Sequence, residues 1–186
     1  VKIMAVSTLA AIGTPVAYFA EGHWWQIPVL WLWLIAASAL VRRQIVVFAI
    51  AICVATALEP WGVLGMALIV FAPKISEILK AGCASLLLVM TVWLPFYLLW
   101  PFNMGSYSWV VRNDSLWNMF GVSENTFSWT MRFIQAVVIL GICIAIFWSW
   151  RVPMGKSRSF RVVALFSAGP LIVLFRLAWA PRFGSY

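Results

Sequence analysis

Apolar runs follow one another along this chain with few polar breaks, and that succession constrains the fold more than any other feature. Seven stretches qualify as candidate membrane spans: 3–20, 25–41, 45–58, 60–79, 81–100, 132–150 and 162–179. Crossing the hydrocarbon core takes about 20 apolar residues. Hydrophobic side chains make up 65% of the chain and charged ones 10%, whereas a soluble domain is roughly half apolar and about a quarter charged. A soluble fold of this length leaves too much surface exposed to hide so many apolar groups. The expected architecture is therefore all-α: a polytopic transmembrane bundle of about seven helices, forming one domain over residues 1–186 with lipid as its solvent.

The fourth run is the short one. Its strictly apolar part, 61–72, would rise only about 18 Å as an α-helix, against a core of roughly 30 Å. A re-entrant segment is the alternative to a crossing, and charge placement decides between them. With seven crossings, one side holds Lys2, Arg42, Arg43, Lys74, Lys80, Arg151, Lys156, Arg158 and Arg161, with Glu77 as its only acid. The other side holds Arg112, Arg132, Arg176 and Arg182 against Glu21, Glu59, Asp114 and Glu124. The positive-inside rule then places the N-terminus and the basic loops in the cytoplasm, in an inner-membrane protein. Without a fourth crossing the basic stretch 151–161 would lie outside. The crossing is expected, as a helix that continues past Pro73 with a kink. Pro15, Pro28, Pro95 and Pro170 also lie in or near the ends of spans, where each removes a backbone hydrogen bond and bends its helix.

The net charge of +8 fits cytoplasmic loops and anionic headgroups rather than nucleic acid. Cys53, Cys83 and Cys143 sit inside apolar runs with no metal-type spacing, and read as small core- or lipid-facing residues. The long outer loop, 102–131, contains a segment, 115–121, that reads as a short amphipathic helix. Asp114 or Ser115 would cap it and Gly121 stop it. Run 3–20 has no clear cleavage site before Glu21 and reads as a retained helix. The chain begins with Val, through an alternative start codon or as a portion of a longer protein.

Polar residues collect on the outer side. Glu59 precedes Pro60 at a helix start, where its carboxylate complements the helix N-terminus; the functional alternative is a cavity carboxylate contacting a sugar hydroxyl or a divalent cation. Arg132 and Gln135 share one helix face. Arg132 stands near the N-terminal end of its helix, where the macrodipole disfavours a cation, and an anion would remove that penalty. Either a lipid headgroup phosphate or the phosphate of a bound lipid-linked substrate suits a guanidinium. His23 is a lone interfacial histidine. The 13 tryptophans mark an aromatic belt, and Trp61, Trp109 and Trp117 are the candidates for stacking a sugar. Arg42, Arg43 and the 151–161 run set topology, and that run also suits anionic lipid. Asn113-Asp114-Ser115 fits a glycosylation sequon. Walker, dinucleotide, nucleophile-elbow and zinc-protease motifs are all missing from the sequence. No resident cofactor is expected.

Three stretches resemble the later part of bacterial GT-C superfamily glycosyltransferases, multi-pass enzymes that take sugar from a polyprenyl-phosphate carrier. The first is Val41-Arg42-Arg43 followed by Glu59-Pro60-Trp61-Gly62-Val63-Leu64-Gly65. The second is Trp93-Leu94-Pro95-Phe96, continuing through Ser115-Leu116-Trp117 and Phe120-Gly121 to Trp129, Arg132 and Gln135. The third runs from Arg176 through Ala180-Pro181 to Ser185-Tyr186. Glu59 stands where the family pattern carries lysine, and Ala180 where it carries aspartate. The resemblance implies a lipid-linked sugar donor held at the outer face by Glu59, Arg132, Gln135 and Arg176, with membrane lipids as the other partners. It also implies helices before Val1 and after Tyr186, and a catalytic acidic loop outside this chain. A non-enzymatic multi-pass protein, either transporter or structural subunit, is the alternative.

Overall fold

The computed structural model describes residues 27–99, 116–121 and 129–178. Among them there are seven helical elements and no strand. These are α1 (Ile27–Val41), α2 (Ile45–Leu58), a 3₁₀ helix (Pro60–Phe71), α3 (Ile75–Leu99), α4 (Leu116–Met119), α5 (Trp129–Lys156) and α6 (Arg158–Ala178). The all-α bundle expected from the apolar runs is the observed one. Run 3–20 and His23 lie outside the described residues.

The fourth run departs from expectation. It does not continue past Pro73 as a kinked helix. The 3₁₀ helix ends at Phe71, Ala72 is extended (φ −61°, ψ 134°), and a new helix begins at Ile75. Residues 75–79 thus open α3 rather than closing the fourth span. Length explains the change. Twelve residues rise about 18 Å as an α-helix but about 24 Å at the 2.0 Å rise of a 3₁₀ helix. Its neighbour α2, with 14 residues, rises about 21 Å. Winding more tightly lets a short apolar stretch span the height of its antiparallel partner.

Packing holds this unusually long 3₁₀ segment in place. With three residues per turn, every third side chain eclipses. Gly62, Gly65, Leu68 and Phe71 form one buried row, and Leu64, Ala67 and Val70 a second. The third row, Val63, Met66 and Ile69, is half-buried. The helix contacts α1, α2, α3, α5 and α6, making it the hub of the bundle. Pro60 stands at its start with φ preset, and the Gly62 N–H donates to the Glu59 carbonyl (2.7 Å).

Contacts at the two ends show that the chain alternates direction. At one end Arg43 of the α1–α2 turn faces Glu77 of α3 (3.8 Å), and Arg151 of α5 donates to the Ala72 and Pro73 carbonyls. At the opposite end Trp33 of α1 donates to the Gly62 carbonyl, and the Arg176 guanidinium of α6 lies over the Trp61 ring. The described basic residues assigned to one side by charge counting therefore do share an end. The α1–α2 turn is tight: Arg43 takes a left-handed φ of 60°, with Arg43 N–H donating to Leu40 O and Gln44 N–H to Ala39 O. That is a Schellman closure with arginine at the position glycine usually fills.

The outward surface is apolar. Val46, Leu79, Leu87, Leu98, Phe133 and Val152 are largely exposed, while alanines such as Ala36, Ala37, Ala55 and Ala67 are buried. Large apolar groups outside and small ones inside is the arrangement of helices packed in lipid. Three helical segments, Ile75–Pro95, Thr130–Lys156 and Arg158–Leu177, are long and apolar enough to cross a membrane, and the other three bundle helices are shorter apolar segments. The protein is a membrane protein with transmembrane helices. In a background with Cys53, Cys83 and Cys143 replaced by Ala, Lys74→Cys and Ser157→Cys should react with an impermeant maleimide from one side. Pro60→Cys should react only from the other. Labelling of Lys74→Cys and Ser157→Cys from different sides would overturn the alternation.

In the described part of the 102–131 loop, Leu116–Met119 is helical, and Gly121 stops it with φ 78°, as its glycine implied. Trp117 is buried, whereas Met119 and Phe120 are exposed.

Candidate functional site

The glycines of the 3₁₀ helix position the candidate site. A Cβ on Gly65 would meet the Trp33 indole, so the missing side chain is what lets the Nε1–Cδ1 edge of that ring press against the helix. Trp33 is fully buried and its Nε1 donates to Gly62 O at 2.9 Å. Its ring in turn packs edge-on against Trp61, with centroids 5.3 Å apart and planes at 78°, the favoured aromatic geometry. Trp61 is thereby held from one side while the Arg176 guanidinium lies over its ring, 4.4 Å from the centroid. Such a cation–π pair holds both planar groups in register.

Glu59 sits two residues away, extended (φ −147°, ψ 128°) and half-buried, at the junction of α2 and the 3₁₀ helix. Its backbone N–H still donates to Ala55 O (3.0 Å). Its side chain gives the helix start no cap hydrogen bond. The same cluster contains an unpaired donor: Trp61 Nε1 is buried with no hydrogen-bond partner among the described residues. Leaving an indole N–H unsatisfied costs about 1–3 kcal/mol, and a ligand oxygen would relieve that cost.

Arg132 and Gln135 occupy the first two turns of α5, and both are half-buried. Arg151, farther along the same helix, reaches the opposite end of the bundle. The intervening stretch rises about 28 Å, which puts Arg132 at the Trp61 end. The structure thus brings Arg176 onto Trp61 beside Glu59, and places Arg132 and Gln135 on a separate helix at the same end. Of the tryptophans considered for stacking, Trp61 has the polar neighbours, Trp117 is 6% exposed, and Trp109 lies outside the described residues. Among the described residues no group of three or more His, Cys, Asp or Glu is placed to hold a metal ion.

At the basic end, where the 151–161 run suits anionic lipid, the fold adds a cavity that the sequence does not disclose. A cavity of about 560 Å³ opens among Phe71, Ala72, Pro73, Trp148, Arg151 and Arg161, with Val41, Val152, Met154 and Gly155 completing its wall. The only sequence signal was the density of basic residues between 151 and 161. That the Pro73 turn would close over them, 78 and 79 positions away along the chain, had no local trace.

The chain matches no protein-family model, no curated protein and no solved structure.

Proposed function

We propose that this chain is part of an integral membrane glycosyltransferase that handles a lipid-phosphate-linked sugar at the Trp61 end of the bundle. The observation that carries the reading is the Trp61 Nε1 donor, unpaired among the described residues, on the ring over which the Arg176 guanidinium lies and two residues from Glu59. A sugar–phosphate asks for such a set: cationic and N–H donors for phosphate oxygens, an aromatic face for the pyranose ring, and a carboxylate for a hydroxyl. Arg132, in the first turn of α5, would add a second guanidinium for the phosphate, with Gln135 one turn on. The charge asymmetry supports an inner-membrane orientation with the basic end cytoplasmic and the Trp61 end outside. The resemblance supplies the polyprenyl carrier.

In the reaction so envisaged, the bond from the anomeric carbon to the phosphate oxygen breaks and one to the acceptor hydroxyl oxygen forms. The acceptor proton passes to a carboxylate, and the lipid phosphate leaves. Membranes containing the full protein should transfer labelled sugar from a polyprenyl-phosphate donor. Arg132→Ala should lower kcat/KM at least tenfold through a raised KM for the donor, while Glu59→Gln, which weakens the contact to a sugar hydroxyl, should raise that KM less. Unchanged transfer in Arg132→Ala would remove its phosphate role.

A second reading is a non-enzymatic lipid-binding or transport subunit. Among the described residues the Trp61 end holds a single carboxylate, Glu59, which suffices for binding. Donor retention without any transfer would select it.

A further inference from the structure

We propose that the cavity at the basic end is a binding site for the phosphate headgroup of an anionic membrane phospholipid. It is separate from the Trp61 end and does not depend on the glycosyltransferase reading. Its volume of about 560 Å³ falls within the roughly 300–1,000 Å³ of small-ligand pockets.

Charge argues for an anion. Arg151 and Arg161 both line the cavity, and among the described residues no lining residue is acidic. Among the described residues the only acid at this end, Glu77, faces Arg43 instead. Two guanidiniums sharing one cavity repel each other, and a phosphate between them converts that repulsion into attraction. Both are also held in place before any ligand arrives. Arg151 Nη2 donates to Ala72 O (3.0 Å) and Pro73 O (3.2 Å), and its guanidinium stacks over Trp148 at 4.6 Å. Arg161 Nε donates to Met154 O (3.0 Å). In each case one nitrogen is anchored to protein while further N–H groups of the same fork remain for phosphate oxygens.

The rest of the wall argues for a lipid. Trp148 and Val152 line the cavity and are exposed on the outer face of α5, so an apolar wall runs from the arginines onto the surface that meets the bilayer. Tryptophan at this depth is the usual mark of the headgroup layer. A phosphate seated on Arg151 and Arg161 would leave its acyl chains against that wall. A soluble anion would use the arginines and leave the apolar wall bare.

The test uses the full purified chain in nanodiscs of mixed phosphatidylglycerol and phosphatidylcholine, with native mass spectrometry counting retained lipid. Phosphatidylglycerol should be retained over phosphatidylcholine, and Arg161→Gln should lower that preference on the order of tenfold. Gly155→Leu keeps both charges and crowds the cavity wall; a Cβ at Gly155 meets nothing within 4 Å, so the variant should fold and yet retain less lipid. Its thermal midpoint in lipid-free detergent checks that it has folded. Free inorganic phosphate or glycerol phosphate should displace the lipid poorly. Equal retention of the two lipids, or retention unchanged in both variants, would overturn the proposal. Displacement by millimolar phosphate would overturn the lipid assignment in favour of a soluble-anion site.

Discussion

Gly62→Ala should destabilise the bundle by about 3 kcal/mol or more, at the upper end of what overpacking costs. A Cβ built on Gly62 would meet the carbonyl of Ala55 and, at 2.6 Å, the amide nitrogen of Thr56. These are backbone atoms in the last turn of α2, so no rotamer change clears the clash. Relief requires the 3₁₀ helix to move away from α2 or α2 to unwind at its end. Either movement also strains the Trp33 Nε1–Gly62 O bond and, through the Trp33–Trp61 edge contact, the ring on which Arg176 lies. The measurement is the thermal midpoint in detergent, read by fluorescence-detected size exclusion. Gly169→Ala is the matched control. Its Cβ would find Leu30 and Trp33 side-chain atoms at 3.6 Å, an ordinary contact; the helix preference for alanine over glycine, about 1 kcal/mol, is offset there because Pro170 disfavours a Cβ on the helical residue before it. The two substitutions add the same methyl group, and Gly62→Ala should lose far more stability. A Gly62→Ala midpoint equal to that of Gly169→Ala would show that the 3₁₀ helix is not clamped to α2 as described.

That glycine shows what the sequence could and could not disclose. The apolar runs alone specify helices in lipid, and the charge count alone puts Arg43, Lys74, Arg151 and Arg161 at one end, because each depends only on local composition. The 3₁₀ winding was legible in principle. Gly62 and Gly65 stand three apart, and the row they begin continues through Leu68 and Phe71. Read with an α-helical period, the same residues show only a stretch too short to cross. The kink expected past Pro73 failed for a related reason: a helix already stretched to its neighbour's height has no need to continue.

The candidate site was legible by residue type and obscure by geometry. Glu59 before Pro60 and the Arg132–Gln135 pair are visible as sequence neighbours. That Arg176 comes to rest on Trp61, and that Trp33 packs against both Gly65 and the Trp61 ring, depends on packing among three separate helices. Hydrophobic periodicity cannot specify which helices meet when every face is apolar. In lipid the small residues and long-range polar contacts make that choice, and these leave weak marks in a sequence.

Arg151→Met should cost about 2 kcal/mol, with the loss concentrated at the end of the 3₁₀ helix. One guanidinium nitrogen there serves two carbonyls, Ala72 O and Pro73 O, which methionine would leave without their donor. An unsatisfied backbone acceptor costs about 1–3 kcal/mol where it is buried. The Ala72 bond is part-buried and the Pro73 bond exposed, so most of the effect falls on Ala72. Loss of the Trp148 stack adds roughly 0.5–1 kcal/mol at an exposed position. Methionine keeps an apolar stem of similar reach, so a packing defect is not the cause. Arg151→Lys separates charge from shape, because an ammonium is a point charge without the planar fork and should recover only part of the loss. Amide exchange localises the effect: the Ala72 N–H, bonded to Ile69 O at 3.1 Å, should exchange faster in Arg151→Met, while amides in the middle of α5 keep their protection. Full recovery by lysine would mean that charge alone matters at this end, and that the two carbonyls are satisfied by water. Stability and exchange unchanged in methionine would mean that the 3₁₀ helix is closed by its packing rows and not by α5.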